Sequence, residues 1–84
     1  MAKVVMYTRD FCSYCDNAKT LLKSKGVEFE EINLGEHPEK LEEMVSLARR
    51  TSVPQVFIDG ESVGGFDDIS ALNRTGDLDK MLGR

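Results

Sequence analysis

Phe11-Cys12-Ser13-Tyr14-Cys15 contains both cysteines of the 84-residue chain, and its surroundings decide how they are used. Before it, Val4-Val5-Met6-Tyr7-Thr8 is β-branched and apolar enough for a buried strand; after it, Ala18, Leu21 and Leu22 fall on one helical face. The pair therefore lies where a strand meets a helix, which is expected to run from Ser13 or Tyr14 to Lys25 with Gly26 as a left-handed cap. A thiol attacks as the thiolate, and the free N–H groups of a first helical turn favour that anion as hydrogen-bond donors and through the helix dipole. The dipole supplies about 0.3 to 1 kcal/mol, so direct N–H···S bonds and nearby cations must add to it. Arg9 is the local cation, opposed by Asp10 and Asp16. Cys12, at the mouth of the turn, is expected to be the nucleophile, and Cys15, one turn further in, the more buried resolving thiol.

A Cys-x-x-Cys pair is also half of many zinc sites, but the chain has no second pair and a single histidine, His37, which precedes Pro38 and reads as a solvated loop residue. A structural disulfide closing so small a loop would contribute little. Redox chemistry is the default reading. Eleven basic against fifteen acidic residues give a net charge of −4, which argues against nucleic acid as a partner. The chain passes from Met1-Ala2-Lys3 into strand-like residues with no apolar signal region and no span of membrane length, so no membrane is expected and a cytoplasmic location is. In that compartment a cysteine pair is catalytic more often than structural. The length suits one domain, residues 1–84.

Beyond Gly26, the pattern predicts a short strand around Glu28 to Asn33, parallel to the first. Gly35-Glu36-His37-Pro38 interrupts it, and Pro38-Glu39 suits the first turn of a second helix with Leu41, Met44, Val45 and Ala48 inward. Arg49-Arg50 complements that helix's negative end, and an anion-binding role for the pair stays open. Val56-Phe57-Ile58 and Glu61-Ser62-Val63 flank Asp59-Gly60, the dipeptide of a two-residue type I′ hairpin. Pro54 just before a strand that reads as central belongs at its first residue or in a cis Val53-Pro54 bond. Gly64-Gly65 lets the backbone turn or approach a ligand closely, and Phe66-Asp67-Asp68 opens a third helix with Asp67 as its cap and N–H groups able to hold a carboxylate. Ile69 and Leu72 face inward, Gly76 ends the helix, and Asp77 to Leu82 forms a short last one.

Tyr7-Thr8-Arg9, Cys12-Ser13-Tyr14-Cys15, Ser52-Val53-Pro54-Gln55-Val56-Phe57-Ile58 and Gly64-Gly65-Phe66-Asp67-Asp68 together resemble the glutaredoxin family, within the thioredoxin fold. The resemblance implies an α/β architecture: a four-stranded mixed sheet flanked by helices in the order β-α-β-α-β-β-α, plus the short C-terminal helix. It implies a glutathione-disulfide oxidoreductase, with glutathione as reductant and disulfide-containing or glutathionylated proteins as substrates. Cys12 would form the mixed disulfide with glutathione and Cys15 would resolve protein disulfides. Arg9 would hold the glycine carboxylate of glutathione, Tyr14 would line the groove, and Val53 before Pro54 would pair its backbone with the cysteinyl part. Gly65, Phe66, Asp67 and Asp68 would bind the γ-glutamyl end, with N–H groups of Phe66 and Asp67 on its carboxylate and the side chain of Asp67 or Asp68 on its ammonium. Two departures stand out. Phe66 replaces a frequent Cys or Ser, and Ser13 replaces the usual Pro. Some members with Ser there bind a [2Fe–2S] cluster between two subunits, which makes Cys12 an alternative cluster ligand. A monomer is expected, a dimer only if cluster-bound. A thioredoxin-like protein served by a flavoprotein reductase is the remaining alternative on the same fold.

Overall fold

The strand before the cysteines is the one the sheet is built around. In the computed structural model, which describes residues 2–83, β1 (Val4–Thr8) pairs in parallel with β2 (Glu30–Asn33) and antiparallel with β3 (Gln55–Ile58). β3 pairs antiparallel with β4 (Glu61–Gly64), giving the order β2-β1-β3-β4. Alternation along β1 and β3 sends side chains to two faces. Val4, Met6, Val56 and Ile58 pack with Ala18 and Leu22 of α1 (Ser13–Ser24), Ile69 of α3 (Phe66–Thr75) and Leu78 of α4 (Asp77–Met81). On the other face, Tyr7 and Phe57 pack with Met44 of α2 (Leu41–Ala48), their rings edge to face at 5.5 Å. This is the four-stranded mixed sheet flanked by helices of the thioredoxin fold. Among the described residues, no helix is long and apolar enough to cross a membrane.

The helix ends follow from local chemistry. α1 closes with Gly26 at φ +69, its N–H bonded to the Lys23 carbonyl and that of Val27 to the Leu22 carbonyl, a pairing that satisfies carbonyls the helix leaves open. Because Val27 is spent on that closure, β2 starts at Glu30 rather than near Glu28; Val27 and Phe29 pack against the core without joining the sheet. Pro38–Lys40 forms a 3₁₀ turn before α2, so the α-helical phase begins at Leu41. Leu41, expected inward, is 46% exposed as a result. The hairpin has the expected turn, with Asp59 at φ +52 and Gly60 at φ +82, as a type I′ turn requires. A bulge then lets Gly64, not Val63, face Val56. The Val53–Pro54 bond is cis.

Candidate functional site at the two thiols

Cys12 is the N-cap of α1: its backbone is extended and its Sγ accepts the Cys15 N–H at 3.1 Å. Its carbonyl accepts the Asp16 N–H, so the first turn of the helix is organised around this one residue. The Cys12 thiol points to the Val53 carbonyl, a long contact of 4.0 Å that brings the chain before Pro54 against the sulfur. Cys12 is partly exposed and Cys15 is wholly buried; both are free thiols. Burial pushes the Cys15 thiol up to about 12, with its hydrogen bond to Cys12 acting in the same direction and Lys19 opposing it.

Beside Cys12 lies a groove of ≈ 230 Å³ walled by Tyr14, the Arg50 and Ser52–Pro54 segment, and Gly65–Asp68 at the start of α3. The structure thus brings together Tyr14, Val53, Pro54, Gly65, Phe66, Asp67 and Asp68. Arg9 is not in that groove. It edges a neighbouring depression with Leu34, Gly35 and Leu41, which shares Ser52 and Val53 with the groove. The two hollows therefore meet at the residue that touches Cys12. A larger cleft among Ala2, Val27, Phe29 and Leu82 lacks Val53, the groove residue whose carbonyl meets Cys12, so contact with the thiol and not volume identifies the site.

The start of α3 differs from expectation in one respect. Its N-cap is Gly65, and Asp67 makes no capping bond; the carboxylate that closes the turn is that of Asp68, whose Oδ2 accepts the Gly65 N–H at 2.9 Å. An acid at the third helical position reaching back to the cap N–H is one half of a capping box, the half that a glycine cap allows. The same Oδ2 takes Arg50 Nη1 at 2.7 Å. Arg50 and the Gly65 N–H together hold the Asp68 carboxyl below its ordinary range. Arg50 was legible only as half of a basic pair at a helix end; its partner is 18 residues away and on another wall of the groove. Gly64, at φ +99, has no room for a side chain: a Cβ there would collide with the Asp68 carboxylate.

Behind Cys15, Lys19 Nζ meets Glu31 Oε2 at 2.8 Å, and the buried Thr8 hydroxyl donates to the same oxygen at 2.7 Å. This ties α1 to β2 and to the last residue of β1, the strand that leads to Cys12. Among the described residues no three His, Cys, Asp or Glu side chains form a metal cage. An iron–sulfur cluster needs four ligands of this kind, and one chain offers a single accessible thiol, Cys12. One chain thus supplies one of the four sulfurs; a shared cluster would take Cys12 from each of two chains and two glutathiones, and the chemistry at Cys12 is derived without it.

The glutaredoxin family model matches residues 4–63. Glutaredoxin 3 of Escherichia coli K12 is 49% identical over 82 residues, covering 98% of this chain and 99% of that protein. A glutaredoxin of Pseudomonas aeruginosa is 48% identical, covering 98% of both chains. Among solved structures, a buckwheat glutaredoxin–glutathione complex superposes with a TM-score of 0.89 at 27% identity, covering 98% of this chain and 77% of that one. The glutaredoxin of Brucella melitensis does so with a TM-score of 0.85 at 46% identity, covering 98% and 89%. A thioredoxin fold with a dithiol at the start of its first helix defines the class. The chain belongs to the glutaredoxin family, a family of thiol-disulfide oxidoreductases.

Proposed function

We propose that the chain, as one domain over residues 1–84, uses glutathione to reduce protein disulfides and glutathione mixed disulfides. The observation that carries this is the placement of Cys12: a helix N-cap, partly exposed, against the carbonyl of Val53, which walls the groove, with Cys15 buried on the same helix. The Cys12 thiolate attacks the glutathione sulfur of a mixed disulfide. A Cys12–glutathione bond forms, the substrate S–S bond breaks, and the departing thiolate takes a proton from water. A second glutathione attacks the bound one, which leaves as oxidised glutathione and frees Cys12. With a protein disulfide, Cys12 bonds to a protein sulfur and Cys15 then attacks Cys12, releasing the reduced protein; two glutathiones reduce the resulting pair. Bonding of Cys12 removes its contribution to the raised Cys15 pKa, although burial, the larger cause, remains. A reduction potential of about −200 to −230 mV suits this exchange. The cytoplasm, with its glutathione pool, is its setting.

Glutathione would lie across Val53, its cysteinyl part paired with that backbone. The N–H groups of Phe66 and Asp67 at the start of α3 would meet its γ-glutamyl carboxylate. The γ-glutamyl ammonium would meet the side chain of Asp67 or Asp68; Arg50 and the Gly65 N–H both occupy Oδ2 of Asp68, which leaves its Oδ1 to accept. Arg9, which lines the depression on the other side of Val53, would hold the glycine carboxylate, which its guanidinium can grip with two parallel bonds. The test is a glutathione-coupled disulfide assay on variants. Cys12→Ser loses all activity, whereas Cys15→Ser keeps reduction of glutathionylated substrates and loses that of protein disulfides. Full activity in Cys12→Ser would refute the proposal.

A further inference from the structure

Phe11 is 106% exposed, the most open of the large apolar side chains in the described residues, and it directly precedes the nucleophile. Its backbone sits at φ +56, a left-handed conformation that glycine and asparagine adopt readily and a bulky residue rarely does. The turn itself is dictated from both sides. Asp10 Oδ1 accepts from Asn33 Nδ2 at 3.0 Å, and Cys12 is fixed as the helix cap. Those anchors account for a positive φ at position 11 but not for phenylalanine there. Asparagine would suit the conformation better and a polar side chain would suit water better. Phe11 does not line the groove beside Cys12, so glutathione does not account for it either.

The chemistry at the next residue says what covers it. A disulfide under attack has its reacting sulfur within bonding distance of Cys12 Sγ, and the Cα of residue 11 is about 3.8 Å from that of residue 12. On the reading proposed above, one half of that disulfide occupies the groove of Tyr14, Val53 and Phe66. The polypeptide on the other half must leave past the tip where Asp10, Phe11 and Ser13 are exposed. We propose that Phe11 is a specificity residue for polypeptide substrates, an aromatic anchor that packs on an apolar side chain adjoining the reacting cysteine. Burial against the substrate offsets the cost of holding a bulky apolar residue in a left-handed, solvated turn.

The test uses two glutathionylated peptides that differ only in whether phenylalanine or serine adjoins the cysteine, alongside the mixed disulfide of cysteine and glutathione. The wild-type protein favours the phenylalanine peptide by about fivefold in kcat/KM, the effect of one modest interface anchor. Phe11→Asn, which keeps the turn, abolishes that preference through KM and leaves turnover of the cysteine–glutathione disulfide unchanged. Phe11→Leu restores most of the preference. No preference in the wild type, or an undiminished one in Phe11→Asn, overturns the inference. Failure of the wild type to reduce the small disulfide with glutathione would instead overturn the function on which it rests.

Discussion

Two cysteines three residues apart have opposite environments because one ends a strand-to-helix turn and the other faces the core. Cys15 shares the buried face of α1 with Ala18 and Leu22, the periodicity of a helix packed on a sheet. That contrast predicts selective labelling. In the native protein below pH 9, iodoacetamide should modify Cys12 alone, and Cys15 should react only after unfolding, as read by intact mass and peptide mapping. Equal labelling of both in the native state would contradict the burial of Cys15. The division was legible because helical period alone separates the two thiols. The left-handed turn at Phe11 was not, since the Cys12 cap alone does not demand it; the other anchor is the bond of Asp10 to Asn33 on β2, 23 residues away.

At the scale of elements, the bulged end of β4 and the start of α3 form one unit with the segment before Pro54. Asp68 closes the α3 turn and holds Arg50, and it can do so only because Gly64 leaves its space free. Gly64→Ala should therefore cost about 2 kcal/mol, combining a positive φ with displacement of a bonded carboxylate. It should also raise KM for glutathione by loosening the groove wall. Chemical denaturation and steady-state kinetics would show both; a stable variant with unchanged KM would mean that the junction does not shape the groove. The hairpin was readable because Asp59-Gly60 is specific to one turn type. The choice among Gly65, Asp67 and Asp68 at the helix start was not settled by residue preference, because the deciding contacts come from Gly64 behind and Arg50 across the groove.

For the whole molecule, the core holds two groups whose deprotonation opposes folding, Cys15 on α1 and Tyr7 on β1. Cys15 is raised by burial from 9.0 to about 12, and Tyr7, by burial and by its hydrogen bond to Glu43, from 10.0 to about 12. The unfolded chain loses these protons first as pH rises, so the folded state binds more protons between the two values and stability falls with pH. The contribution is intact below pH 9, declines from pH 9 through about 12, and should appear as a falling Tm across that window. Cys15→Ala should flatten the onset between pH 9 and 10, where Tyr7 is not yet involved. The order of elements was readable along the whole chain, since strand and helix periods alternate cleanly. The depth of the site was not, because it depends on β1 lying between β2 and β3, a pairing that the alternation of residues permits without specifying.

Cys12, seated at the helix cap beside Val53, should accept glutathione as a covalent partner. Cys15→Ser protein incubated with oxidised glutathione, then analysed by intact mass and peptide mapping, tests it most directly. One glutathionyl group per chain, bonded to Cys12 and released by excess glutathione, is the predicted result. An unmodified chain would contradict it.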